Sequence, residues 1–362
     1  MPPITAITNV RVFDGQKVND PSTVIIDGDL IATNDPDKVP STTINAEGSI
    51  LSPGLIDCHI HLHGADDLAR MAEFGVTTAL DMATWPPELL TSLRNNKGVT
   101  DIRGCGIAAT APRSAHSNIP TLPREALVSN PSEAKRFVAD RISEGADYIK
   151  IIADVPGPTQ ETLNALVENA HQSKKLVIAH AVSLVATQMS QDAGVDFITH
   201  APLNGVMSEE SIQQMIHDRR ISIPTLTMMK GVSESRNLNF DNARKTVAAL
   251  HLAGVPVLAG TDSNMAPGVP ANISHGVSLH EELELLVGCG LSATEVLRAA
   301  TSLPAKYFGM HDRGVIQPGY RADLILAKED PTQDIKATRF IQRVLANNGL
   351  EKTMNSKIAK YP

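Results

Sequence analysis

Along the middle of the chain, short apolar runs alternate with stretches whose apolar residues recur at helical spacing. Eight such runs stand out: LIDCHIHL at 55–62, VTTALDM at 76–82, IRGCGIAA at 102–109, YIKIIA at 148–153, LVIAHA at 176–181, DFITHA at 196–201, ISIPTL at 221–226 and VPVLAGTD at 255–262. Their length and the Gly, Pro and polar residues that bound them predict buried strands. Between most of them lie ADDLARMAEFG, SEAKRFVADRISEG, TQETLNALVENAHQSK, SLVATQMSQDAG, SEESIQQMIHDRR and DNARKTVAALHLAG, which predict helices. Several open on Ser, Thr or Asp and close near Gly or a basic residue, as helix caps require. Four close on related phrases before the next strand, AEFGVTT, SEGADYIK, QDAGVDFIT and HLAGVPVLAG, where Gly permits the left-handed turn out of a helix. Eight alternating units predict an α/β fold, a (β/α)8 barrel of the TIM type.

The two ends of the chain follow a different rhythm. ITAITNVRVF and STVIIDGDLIA, with a further piece near TTINAEG, predict short strands separated by turns at Asp14-Gly15 and Asp27-Gly28. This unit is too short to enclose a large core of its own. After the eighth run, HGVSLHEELELLVGCG and SATEVLRAATSLPAKYFGM predict two more helices, and ADLILA and FIQRVLA two late strands. The late strands are expected to join the early ones. Residues 1–50 and 315–362 then form a small composite β-sandwich, with the catalytic barrel at 51–314 inserted between them.

Composition narrows the function. A chain of 362 residues, 42% hydrophobic and 20% charged, is long enough to bury a large core and reads as a soluble globular protein. Aromatic residues make up only 3%, with one tryptophan, Trp85, which leaves no platform for stacking bases and no aromatic belt. The net charge of -8 and the lack of a basic block argue against nucleic acid as a partner. No run of eighteen apolar residues predicts a membrane span, and MPPITAITNV lacks the pattern of a secretory signal. Three cysteines, Cys58, Cys105 and Cys289, form no CxxC pair and suit a reducing compartment. Cys58 reads as a small buried residue. A cytoplasmic protein, assembled as a homo-oligomer, is the expectation.

Candidate chemistry gathers at the ends of the runs. In barrels of this type the site forms where strands end and the following loops begin. His59 and His61 are two apart on a strand and so face the same side. Run four carries Lys150, run five ends near His180, run six near His200 and run eight at Asp262. Each would otherwise be a polar group in apolar surroundings. Taken singly, each has an ordinary explanation: His180 and His200 as core or loop histidines, Asp262 as a structural cap. Lys150, flanked by isoleucines, is costly as a buried ammonium. It must pair with an acid or be chemically changed; carbamylation by carbon dioxide would make it an anionic oxygen ligand able to bridge two metals. Six such residues converging on one barrel mouth favour a metal site.

Together these segments resemble the amidohydrolase superfamily, in the branch with imidazolonepropionase-like and prolidase-like enzymes that carries a lysine on the fourth strand. PGLIDCHIH is similar to the superfamily's opening motif, GADYIKI to the lysine strand, the AHA and THA phrases to its two single histidines, AGTDS to its aspartate strand and GVIQPGYRADLIL to the return into the β domain. The resemblance implies that His59, His61 and Asp262 hold a more buried divalent ion, that His180 and His200 hold a second, and that carboxylated Lys150 bridges the two. It further implies a hydroxide shared by the ions as nucleophile and Asp262 as the residue that carries its proton to the leaving group. Zinc suits these ligands, although geometry and supply choose among metals.

Departures from the family pattern limit how far a substrate carries over. ATAPRSAHSNIP lacks the Gly-rich phrase expected of close relatives. Within it His116 is either a substrate contact or a solvated loop histidine, and Arg113 has the same status as an anion clamp. His63 repeats the His-x-His spacing beyond the strand and is a further substrate candidate. His275 and His280 read as structural, and Met228 and Met229 as a pocket wall or ordinary core filling. The resulting expectation is a binuclear metal-dependent hydrolase of a small amide or dipeptide-like substrate. A lactone or ester hydrolase using the same residues, a mononuclear deaminase and a metal-free scaffold are the alternatives.

Overall fold

The computed structural model describes residues 3–35, 37, 39–346 and 350–353, so the last part of the expected 315–362 segment lies outside the described residues. The chain opens with five strands, β1 (Ile4–Phe13), β2 (Val18–Asp27), β3 (Leu30–Ala32), β4 (Thr42–Asn45) and β5 (Ile50–Pro53). An alternating series follows: β6 (Leu55–Ile60), α1 (Ala65–Glu73), β7 (Val76–Asp81), α2 (Pro87–Leu93), β8 (Asp101–Gly104), α3 (Pro131–Ser143), β9 (Ile149–Ile152), α4 (Gln160–Gln172), β10 (Val177–His180), α5 (Leu184–Ala193), β11 (Phe197–Thr199), α6 (Glu209–His217) and β12 (Ile221–Ile223). Helices α7 (Leu226–Arg236), α8 (Phe240–Leu252), α9 (Val277–Gly288), α10 (Ala293–Ala299) and α11 (Ser302–Tyr307) precede the final strands β13 (Leu324–Ala327), β14 (Ile341–Ala346) and β15 (Leu350–Thr353).

Strands from both ends of the chain share one eight-stranded sheet in the order β15-β14-β13-β5-β1-β2-β3, with β4 paired to β1. Its seam is β5, parallel to β1 and antiparallel to β13. Ile7, Val10, Val24, Leu51, Leu324 and Leu326 form the apolar cluster of this sheet.

The alternating series makes two parallel sheets, β6-β7-β8 and β9-β10-β11-β12. Isolated parallel bridges connect their edges: Ala109 to Ile151, Ser222 to Val257, and Ile60 to Ser263. The run at 255–262 therefore sits between β12 and β6, but as single bridges and not as a ladder. Pro256 has no N–H to give, and Asp262 turns into the left-handed region at φ 56°. Likewise the ladder of the third run stops at Gly104, since Gly106 takes φ 66°, and pairing resumes only at the Ala109 bridge. Two helices were not expected, α2 and α7; α7 starts at Leu226, the last residue of the seventh run, after Pro224 follows the end of β12. SATEVLRAATSLPAKYFGM forms two helices, α10 and α11. Pro304, in the first turn of α11, has a ring that would clash with the carbonyl of residue 300 in a continuous helix.

Below the strand ends lies an apolar plug. Ile56, Cys58, Leu80, Cys105, Tyr148, Ile178, Phe197, Ile223 and Leu258 pack together, and Phe308 stacks on Phe197 at 4.4 Å between ring centroids. All three cysteines are free and buried. Among the described residues, no helix is long and apolar enough to cross a membrane.

Gly260 lets the segment at 255–262 lie close against β6. A Cβ there would come within 2.6 Å of Ile223 Cγ2 and 3.0 Å of the His59 backbone nitrogen. Gly260→Ala is therefore expected to lower stability by about 1–3 kcal/mol. Gly288→Ala, at the end of α9 with open space around it, should be neutral or gain up to about 1 kcal/mol. Urea unfolding of both variants checks this; equal effects would remove the close-packing role of Gly260.

Candidate metal centre

His59 is the fifth residue of β6 and His61 follows its end. Asp57 fixes His59 from behind. Its Oδ1 accepts from the backbone N–H of His59 at 3.2 Å and of Thr261 at 3.0 Å, and its Oδ2 accepts from the Thr261 hydroxyl at 2.7 Å. One buried carboxylate thus ties the first strand end to the segment that carries Asp262. The Asp262 N–H donates to the His59 carbonyl at 2.8 Å, and the His61 N–H to the Ser263 carbonyl at 2.9 Å. Burial pushes Asp57 up to about 7 against these hydrogen bonds.

Four of the six expected ligands meet around the Asp262 carboxylate. Its Oδ1 lies 2.9 Å from His61 Nε2 and 3.3 Å from His59 Nε2, and its Oδ2 lies 3.9 Å from His200 Nδ1. His200 Nε2 is in turn 2.7 Å from His180 Nδ1, which brings in the fifth. Lys150 stands beside them, with Nζ donating to the Thr199 hydroxyl at 3.0 Å, and that hydroxyl donating to the Ala179 carbonyl at 3.1 Å. Thr225 Oγ1, 2.7 Å from His200 Nδ1, orients the sixth-run imidazole. His200, Thr225 and Asp262 all adopt left-handed backbone conformations, at φ 76°, 48° and 56°. Such conformations are uncommon outside glycine and tend to cluster at functional sites.

The chemistry of this group fits divalent cations. Burial, with the neighbouring lysine and imidazoles adding to it, holds His59 and His180 well below the usual imidazole range. Burial brings His200 down to about 3 although Asp262 opposes it. These three imidazoles are thus neutral, the form that ligates metal. Burial pushes Asp262 up, yet the His61 hydrogen bond, the surrounding imidazoles and Lys150 outweigh it and keep the carboxyl below its ordinary value. Burial also brings Lys150 down to about 8, against the pull of Asp262. His59 Nδ1 is buried and, among the described residues, has no hydrogen-bond partner, although a buried polar atom without one is costly. Nitrogen and oxygen donors crowded without enough protons to share suit a zinc-like ion.

A second group adjoins the first. His116 Nδ1 lies 2.7 Å from Asp154 Oδ2, His180 Nε2 lies 3.7 Å from Asp154 Oδ1, and the His116 and His180 rings are 4.5 Å apart. His116 is therefore not a solvated loop histidine. The sequence reading missed Asp154, because Asp-Val-Pro-Gly after the fourth run looks like an ordinary turn; its place four residues after Lys150 was the available signal. Arg113 is exposed, with φ 74°, and among the described residues no contact joins it to either group. His63 is exposed too. Its Nε2 meets Asn264 Oδ1 at 3.1 Å and its ring stands edge-on to His275, whose Nε2 reaches the His61 carbonyl at 2.8 Å. His275 thus steadies a candidate ligand, whereas His280 bonds Thr338 and the Phe74 carbonyl away from the site. Met228 and Met229 belong to the main apolar core.

Glu282 supports the seventh strand end from beneath. It accepts from the N–H groups of Leu226 and Thr227 and from the Thr227 hydroxyl at 2.7–2.9 Å, just after Thr225. Burial pushes it up to about 8 in spite of those bonds. A carboxyl whose folded value exceeds its unfolded value of 4.5 stabilises the fold fully below that lower value, and the contribution is lost as pH rises toward the upper one. The Glu282 contribution should therefore fall between about pH 5 and about pH 8, so over that interval metal-free wild type should lose more stability, or gain less, than Glu282→Gln. Urea unfolding at the two pH values tests this, and identical slopes for both proteins would contradict it.

The sequence pattern of the Amidohydrolase family matches residues 50–355. The ochratoxinase of Aspergillus niger is 25% identical over 395 aligned positions, covering 89% of this chain and 80% of that protein. Adenine deaminase 2 of Rhizobium meliloti is 28% identical over 327 positions, covering 85% of this chain and 49% of that longer protein. Among solved structures, a Xaa-Pro dipeptidase with bound methionine in its active site superposes with a TM-score of 0.83 at 24% identity, covering 97% of this chain and all of that one. The Aspergillus niger ochratoxinase structure superposes with a TM-score of 0.79 at 21% identity, over 95% and 94% of the two chains.

Proposed function

Since the chain belongs to the amidohydrolase family of metal-dependent hydrolases, we propose that it is a two-metal hydrolase that cleaves the carbon–nitrogen bond of a small amide or dipeptide-like substrate. The observation that carries this reading is the convergence of His59, His61, His180, His200 and Asp262 beside a buried lysine whose ammonium is destabilised. In this reading residues 51–314 form a (β/α)8 barrel, which the isolated parallel bridges between the edges of the two sheets support. The small composite β domain proposed beside it, from both ends of the chain, is supported by the one sheet that strands β1–β5 and β13–β15 share.

In this reading His59, His61 and Asp262 would hold the more buried ion, His180 and His200 would hold the second, and Lys150, once carboxylated, would supply oxygen ligands to both. Divalent ions bound there supply Lewis acidity, polarising a substrate carbonyl and bringing a water toward neutral pKa. The chain's own contribution begins with Lys150. With its value near 8 and not 10.5, a substantial fraction of the amine is neutral at physiological pH. That neutral nitrogen attacks carbon dioxide, forming an N–C bond and losing a proton. Thr199 holds the nitrogen in place for this. Asp262 remains a carboxylate in spite of its burial, because imidazoles and lysine surround it. Its Oδ1 is engaged by His61 and His59, while Oδ2, farther from any partner, is the oxygen that receives a proton from the attacking water and delivers it to the leaving nitrogen.

Two variants test these assignments. Lys150→Ala should lose bound metal and activity together, and wild-type protein in bicarbonate should gain the mass of one carbon dioxide that the variant lacks. Normal metal content in the variant would defeat the bridging role. Asp262→Asn should lower turnover by about 10²–10⁴-fold with a smaller change in the Michaelis constant; unchanged turnover on any amide substrate would remove Asp262 as the proton carrier.

A further inference from the structure

The second group of side chains, His116, Asp154 and His180, is built from three separate segments. His116 opens a short 3-10 turn after β8, Asp154 follows β9 by two residues, and His180 is the last residue of β10. Strand pairing holds the last two together: the N–H of Ala153 donates to the His180 carbonyl at 2.9 Å. Gly157 lets the chain fold back tightly behind Asp154, since a Cβ there would run into the Asp154 carbonyl. One ligand atom from each of the three residues lies within 4.8 Å of the others. The Asp154 side chain is only 8% exposed, against 28% for His116. A carboxylate this buried needs a cationic partner. Among the described residues its ion-pair partners are His116 and His180.

The orientation of His180 decides where an ion can sit. Its Nδ1 faces His200 Nε2 at 2.7 Å, so its Nε2 is the nitrogen turned toward Asp154. Two imidazoles and one carboxylate, with an open position left for water or substrate, is a donor set that catalytic zinc sites use. We propose that Asp154 and His116, together with Nε2 of His180, are ligands of the second divalent ion, replacing His200 in that role, so that the ion sits on the open side of the buried group. The inference rests on the reading of His180 as a ligand of a second ion. It adds two ligands that the family resemblance does not assign, and it moves that ion toward the more exposed His116.

The test is zinc titration of metal-stripped protein by calorimetry in bicarbonate buffer, with elemental analysis of the loaded protein. Wild type, Asp154→Asn and His116→Ala are compared, and thermal melts by circular dichroism confirm folding. The expected result is two ions per chain in wild type. In Asp154→Asn the weaker ion should lose affinity by at least about 10-fold, the loss that even an outer-shell change brings, while the tighter ion is unchanged; His116→Ala should act on the same ion. If wild type binds two ions and both folded variants bind them as tightly, the inference is overturned and the two-metal reading stands. A wild type that binds one ion, weakened in both variants, overturns the two-metal reading and keeps this site. One ion indifferent to both variants, or none, overturns both. Should Asp154→Asn fail to fold, His116→Ala decides by the same criteria.

Discussion

The constraint on which the rest depends is the burial of the Asp262 carboxylate among imidazoles and a lysine. An ionised carboxyl out of water is costly unless charge or hydrogen bonds compensate. Here His61 supplies the shortest contact, and His59 and His200 surround the rest. That arrangement holds only if the first and eighth strand ends are locked in register. Asp57 provides the lock by accepting from both at once. Gly260 provides the clearance, and the left-handed turn at Asp262 aims the side chain. The same low-polarity surroundings keep His59, His180 and His200 neutral and bring Lys150 toward the range where its nitrogen can react. One physical condition thus prepares both the ligands and the lysine.

Support for this cluster comes from below and behind. The apolar plug capped by Phe308 on Phe197 closes the end of the strands away from the polar residues. Behind the seventh strand end, Glu282 caps α7, and Thr225 at its start holds His200. Backbone strain at His200, Thr225 and Asp262 is concentrated where three strands end. A fold that tolerates such strain needs packing that over-determines those positions, and fully buried Leu226, Ile223 and Leu258 around them supply it.

Much of this was legible in the sequence. Apolar runs with caps and glycine exits marked the alternating units, and the polar residues at their ends stood out because buried polar groups need a reason. What was hidden has physical causes. The run at 255–262 has strand-like hydropathy, but Pro256 and the turn at Asp262 reduce its pairing to single bridges. Helix α7 begins within the seventh apolar run because its first turn is capped by Glu282, 56 residues away, and no local signal shows that. Asp154 was invisible because aspartate before Val-Pro-Gly is ordinary turn chemistry. Only the pairing of β9 with β10 sets it beside His180. Arg113 and His63 are exposed, and His63 meets Asn264 and His275.

The central claim is that this cluster holds two divalent ions, one among His59, His61 and Asp262 and one beside His180. Anomalous diffraction at the zinc edge, from crystals grown with zinc and bicarbonate, tests it most directly. The account predicts two peaks in each chain at those two places, with continuous density joining Lys150 to both. A single peak with an unmodified Lys150 bonded to Thr199, or no peak within the cluster, would contradict it.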